Sequence, residues 1–142
     1  DPQNVGSILR SAYLFGISLV FYNENNSFHI NSLLFKSASG AYEKVSLIKV
    51  VNINKLIEEL KEQRYWIIGL DLKSKITLKK IPNDVKKVII LGSENKGIRP
   101  LIKRNCDYLV NIPMKKNDEF IDSLNISNAA SITFYELSKN EL

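Results

Sequence analysis

The chain of 142 residues has a single cysteine, Cys106, and a single histidine, His29, with one tryptophan and one methionine. A lone cysteine excludes an internal disulfide, and one cysteine with one histidine cannot assemble a Cys/His zinc set, so metal chemistry is not expected. His29 lies apart from any nucleophile or ligand partner and reads as a surface residue. No apolar run is long enough to cross a bilayer, and the N-terminus lacks the charged, apolar and small-residue succession of a secretory signal. The expectation is a cytoplasmic protein without membrane contact. With only 4 prolines and 6 glycines, the sequence offers no linker at which to divide it. No repeat is visible, and a chain of this length buries one ordinary core, so one domain over residues 1–142 is expected.

What is present is a strong alternation of apolar runs and helical periodicities. Residues 17–22, 45–51, 65–70, 88–91 and 107–112 read as strands. Between them, Val5, Ile8, Leu9, Ala12 and Phe15 recur at helical spacing up to Gly16, and residues 31–39 form a short helix ended by Gly40. Asn52 or Asn54 caps a helix with Ile53, Leu56, Ile57 and Leu60 on one face and Glu58, Glu59, Lys61 and Glu62 on the other. Residues 98–105 tolerate Pro100 in a first helical turn, and residues 126–137 form a last helix capped by Asn125 or Ser127, with Ala129, Ala130, Thr133 and Phe134 on one side. The lysine-rich residues 73–87, with Pro82, read mostly as loop with solvated lysines. Intervals too long for hairpins predict an α/β fold with a mostly parallel open sheet and helices on both faces.

Two stretches carry candidate chemistry. The run from Ile112 to Leu137 joins a strand end to a small-residue helix through a loop holding Ser123, Leu124 and Asn125, the position where open α/β sheets bind ligands. The apolar strand 88–91 runs directly into Gly92-Ser93-Glu94-Asn95-Lys96-Gly97, a glycine loop before a helix. That loop matches neither the three-glycine dinucleotide fingerprint nor the phosphate loop ending in Gly-Lys-Ser/Thr, so neither NAD nor ATP is assigned. Asn4 and Arg10 on the first helix are candidates to face the same cleft. The net charge of +5, with a pI near 9.3, is compatible with a polyanionic partner and says nothing about fold.

Three separated segments, DPQNVGSILRSA at Asp1–Ala12, VIILGSENKGI at Val88–Ile98, and IPM with SLNISNAA at Ile112–Met114 and Ser123–Ala130, resemble the SpoU/TrmH family of the SPOUT superfamily. With KSASGAYEKV at Lys36–Val45 the resemblance spans nearly the whole chain. It implies an S-adenosylmethionine-dependent methylation of a ribose 2′-hydroxyl in RNA. The last segment is more similar to the branch acting on a guanosine of large-subunit rRNA; a tRNA 2′-O-methyltransferase and a catalytically idle RNA-binding module are the alternatives. The family fold implies a C-terminal trefoil knot, against the general rarity of knots. Position by position, Gly92, Ile112 and Leu124 match cofactor-holding residues, with Gly69 and Leu70 in a supporting place, while Asn4, Arg10, Glu94 and Asn125 match the catalytic polar cluster. A pairing of Arg10 with Glu94 would hold the guanidinium plane. The family also implies a homodimer that completes each site in trans, with Ile8, Leu14, Phe15, Ile132 and Tyr135 at the contact. RNA contacts are expected from Lys96, Arg99, Lys103, Arg104, Lys115 and Lys116. Two departures stand out: residues 115–122 lack the family's glycine, and the chain starts on the first motif, as a catalytic-domain fragment without the preceding strand or an N-terminal RNA-recruiting domain would.

Overall fold

The computed structural model describes residues 1–26, 28–115 and 118–142. Helix α1 (Pro2–Leu14) begins where the Asp1 carboxylate accepts the Gln3 N–H at 2.9 Å, with Pro2 at the position where a missing N–H costs nothing. Strand β1 (Leu19–Asn23) follows, then α2 (Ser32–Ala38), capped by Asn31, and β2 (Ser46–Val50), which pairs in parallel with β1. Helix α3 (Ile53–Glu62) is capped by the Asn52 side chain. Asn54, the other candidate, instead accepts a hydrogen bond from Asn105 at 2.8 Å. Strands β3 (Trp66–Leu70), β4 (Lys87–Ile90) and β5 (Tyr108–Val110) complete the chain's parallel pairings with α4 (Pro100–Asn105) and α5 (Ile126–Ser138). Helix α4 starts later than the sequence suggests because Arg99, preceding Pro100, is held extended.

The single open sheet expected from the sequence is two sheets among the described residues: β1 with β2, and three strands in the order β4-β3-β5. Val20 of β1 and Ile89 of β4, with Leu91 just beyond it, all pack on the same cluster of Ala12, Ala130 and Phe134, so the two sheets share one apolar layer with α1 and α5. Residues 73–87 are mostly loop, as the sequence suggests, but they contribute to the core. Leu78–Lys80 forms a 3-10 turn, and Leu78 and Ile81 are buried against Ile68 and Val110. In such a turn residues three apart fall on one side, which sends two apolar side chains inward and leaves Lys79 and Lys80 in water.

Candidate active site

Because β3, β4 and β5 run parallel, their carboxyl ends open on one side of the sheet. The chain leaving them encloses a pocket of about 380 Å³ with apolar walls from Leu70, Leu91, Ile98, Val110, Ile112 and Leu124. Its volume lies within the usual range of small-molecule sites. Gly92 is required by space: a Cβ there would run into the backbone of Gly97. The loop is closed on itself by Gly97 N–H to Ser93 O at 2.9 Å and Ser93 N–H to Gly97 O at 3.1 Å, which projects Glu94 outward.

Of the expected cofactor-holding residues, Leu70, Gly92, Ile112 and Leu124 line this pocket. Gly69 does not. It is buried in mid-sheet, where a Cβ would meet the side chains of Ile98, Cys106 and Leu109, so its contribution is to let Ile98 close on β3. Among the polar lining residues that the sequence reading did not single out are Asp71 and Asn111. Burial alone pushes the Asp71 carboxyl up, but the Lys73 backbone N–H and the Lys103 ammonium, at 3.1 Å, together hold it below the usual carboxylate range. Asn111 Oδ1 is buried without a hydrogen-bond partner among the described residues. A polar residue breaking the apolar run of β5 just before Ile112-Pro113 was the available signal.

At the pocket's rim three of the four expected catalytic residues meet. Asn4 Nδ2 donates to Glu94 Oε1 at 3.1 Å, and Asn125 Nδ2 donates to Asn4 Oδ1 at 3.1 Å and to Glu94 Oε1 at 3.4 Å. Asn125 is also the N-cap of α5, its Oδ1 accepting the Ser127 N–H at 2.9 Å. Arg10 is not in this group. It is exposed and makes no ion pair with Glu94, whose carboxylate Asn4 and Asn125 occupy instead. Helical geometry explains the difference. Six residues beyond Asn4, Arg10 is rotated by roughly 240° about the axis and displaced by about 9 Å along it.

Among the expected RNA-contacting cations, Lys96, Arg99, Arg104 and Lys115 are exposed, whereas Lys103 is engaged by Asp71; Lys116 lies outside the described residues. On the apolar side, Leu14, Ile132 and Tyr135 are exposed, while Ile8 and Phe15 pack against the Ala12, Ala130 and Phe134 cluster. Cys106 is half-buried, and burial pushes its thiol up to about 11.

Parallel strands, helical connections and an apolar pocket at the strand ends define an α/β domain with a candidate small-molecule site at the strand ends. The chain belongs to the SpoU rRNA Methylase family, which matches residues 1–135. It is 41% identical over 139 residues to an uncharacterised tRNA/rRNA methyltransferase of Borreliella burgdorferi, and 36% identical over 137 residues to a TrmH-family tRNA/rRNA methyltransferase of Staphylococcus haemolyticus. These matches cover 98% and 96% of this chain but 60% and 54% of the relatives, so the chain spans little more than half their length. Its fold is similar to the A. aeolicus TrmH/SpoU tRNA modifying enzyme, with a TM-score of 0.87 at 25% identity over 99% of this chain and 70% of that one. It is similar also to the SpoU methyltransferase AviRb from Streptomyces viridochromogenes in complex with AdoMet, with a TM-score of 0.88 at 23% identity over 99% of this chain and 54% of that one.

Proposed function

We propose that this domain binds S-adenosylmethionine in the pocket at the strand ends and directs methyl transfer to a ribose 2′-hydroxyl of structured RNA, with a guanosine of large-subunit rRNA as the target class. The observation that carries this reading is the hydrogen-bonded group of Asn4, Glu94 and Asn125 at the rim of a pocket lined by Leu70, Gly92, Ile112 and Leu124. The pocket fits the cofactor in kind. Its apolar walls suit an adenine, and the buried, unpartnered Asn111 Oδ1 is an acceptor for a ligand N–H or O–H. When bound, the cofactor would supply an electrophilic methyl whose S–C bond breaks as the ribose 2′-oxygen bonds to it, leaving a neutral thioether and releasing the hydroxyl proton to solvent water. AdoMet in the AviRb complex, and the naming of the relatives as tRNA/rRNA methyltransferases, support the assignment.

The residues of this chain position the nucleotide. Glu94 accepts from the two amides and so holds Asn125 beside Leu124 at the N-terminus of α5. Arg10 orients the 2′-hydroxyl and a neighbouring phosphate through its planar fork, since a guanidinium keeps its proton at neutral pH and is a poor base. Its distance from Glu94 on α1 supports service to the site of a second copy. In that homodimer the exposed Leu14, Ile132 and Tyr135 form the contact, and the C-terminal segment carries the family's trefoil knot.

The test is methyl transfer from tritiated S-adenosylmethionine to RNA, with mapping of the product nucleotide. Arg10→Ala is expected to leave cofactor binding nearly intact while lowering the rate by orders of magnitude, because positioning acts on the transition state. Arg10→Lys is expected to fail too. Full activity of Arg10→Ala, or loss of its cofactor binding, overturns the role given to Arg10.

A further inference from the structure

The amino end of β3, remote from the pocket, carries a second concentration of functional side chains. Strand β3 enters the sheet at Trp66, and its carboxyl end at Leu70 lies about 13 Å away along the strand. Around Trp66, a shallow depression is lined by Lys61, Arg64, Tyr65, Trp66 and Asp107. Trp66 is 39% exposed and packs on Tyr108 with ring centroids 5.6 Å apart, so its indole is both accessible and held in place. Lys86 sits over the Tyr65 ring with its ammonium 4.7 Å from the centroid.

The charge around these rings is positive and largely uncommitted. Among the described residues neither Arg64 nor Lys86 forms an ion pair, and Lys61 has only a loose contact with Asp107 at 3.8 Å. The Asp107 carboxylate is meanwhile occupied in accepting the Ile67 N–H at 2.7 Å. The acidic residues of α3, Glu58, Glu59 and Glu62, do not line the depression.

Arg64 is itself out of place by local rules. Its N–H donates to Lys61 O at 2.9 Å and the Tyr65 N–H donates to Leu60 O at 3.0 Å, which is the Schellman closure of α3. Its φ of +67° falls at the position where helices favour glycine. Glycine would be less strained there, so the arginine cation is presented at a conformational cost.

We propose that this face is a docking site for single-stranded RNA, with a base stacking on Trp66 and the phosphates on either side meeting Lys61, Arg64 and Lys86. Exposed aromatics set among cations are the arrangement that binds single strands without reading their sequence. The proposal rests on the RNA reading above and deepens it. At the opposite end of the sheet from the methyl-transfer pocket, the patch holds a segment of the substrate other than the nucleotide modified. It therefore governs affinity and KM while leaving kcat alone.

Trp66 is the chain's only tryptophan, so its fluorescence reports stacking directly and without a variant. Titration with a single-stranded oligouridylate of a dozen nucleotides is expected to quench the emission. Trp66→Ala is expected to weaken binding roughly ten-fold, and Trp66→Phe to restore most of it. Arg64→Gly is expected to weaken binding while leaving the thermal midpoint at or above that of the parent, which separates RNA contact from folding. Unchanged emission on saturation, parental affinity in both Trp66→Ala and Arg64→Gly, or displacement of the RNA by polyglutamate as readily as by unlabelled oligouridylate overturns the proposal. S-adenosylmethionine binding measured on the same samples keeps the two readings apart. A parent that quenches with RNA yet binds no cofactor upholds the patch and overturns the proposed methyl transfer.

Discussion

The two halves of the molecule are built alike and joined differently from how either is built. In the N-terminal half, Leu9, Leu34, Ala41 and Val45 form a core beneath α1, α2 and β1-β2; in the C-terminal half, Ile68, Leu78, Ile81 and Val110 form another within β4-β3-β5. The seam between them uses small residues. Ala12 of α1 and Ala130 of α5 are both fully buried with Phe134, and Ser11 Oγ lies 2.7 Å from Ser131 Oγ. Large side chains give each half its stability, whereas small ones bring α1 and α5 close enough for Asn4, from one half, to reach Glu94 and Asn125, from the other. The polar group at the rim thus depends on the seam more than on either core.

The largest expected effects come from the cores. Leu9→Ala and Ile68→Ala each remove a fully buried side chain and are expected to cost about 2–5 kcal/mol. Calorimetry should still record one transition in each variant, and two separated transitions would show that the seam does not couple the halves. Ala130→Leu forces a larger side chain into the seam, with an expected loss of about 1–3 kcal/mol. If the comparison is right, Ala130→Leu lowers methyl transfer more than Leu9→Ala does at matched stability; equal losses would make the seam ordinary core.

Asn125→Ala removes a helix cap and is expected to cost about 1 kcal/mol in chemical denaturation. Asn125→Asp is expected to keep the cap, and so most of that stability, while facing the Glu94 carboxylate with another carboxylate and losing transfer activity. The smallest effect concerns Asp71. With its carboxyl held below the ordinary value of 3.8, its ion pair stabilises the fold above that pH, and the contribution is lost as pH falls below it. Asp71→Asn is expected to flatten this acid limb by less than about 1 kcal/mol, since Lys103 is partly in water; an unchanged limb would remove Asp71 from the account.

Much of this was legible because it is local. The apolar face of α3 and its Asn52 cap, the glycine loop after β4 and the Asn125 cap depend on residues within a few positions of one another. What escaped depends on distant partners. That β1 and β4 share a core cluster under α1 and α5 without pairing to each other is a relation between distant segments, which no local pattern records. A pairing of Glu94 with Arg10 to hold the guanidinium plane is compatible with the sequence, yet Asn4 lies on the turn of α1 that reaches Glu94 and Arg10 does not. The buried Leu78 and Ile81 were hidden by their lysine neighbours, and Asn111 shows its character only once its oxygen is seen to lack a partner.

Asn125 presents its carbonyl oxygen to Ser127 and its amino group to Asn4 and Glu94, so opposite ends of one planar amide meet opposite demands. Aspartate and serine can accept from the helix but offer no N–H pair to the carboxylate, and glutamine, one methylene longer, displaces the amide from the cap. Helix initiation and site assembly are therefore written in the same codon. Asparagine meets both demands with one side chain, and the single-nucleotide change to aspartate separates them, keeping the helix cap while withdrawing the N–H pair from Glu94.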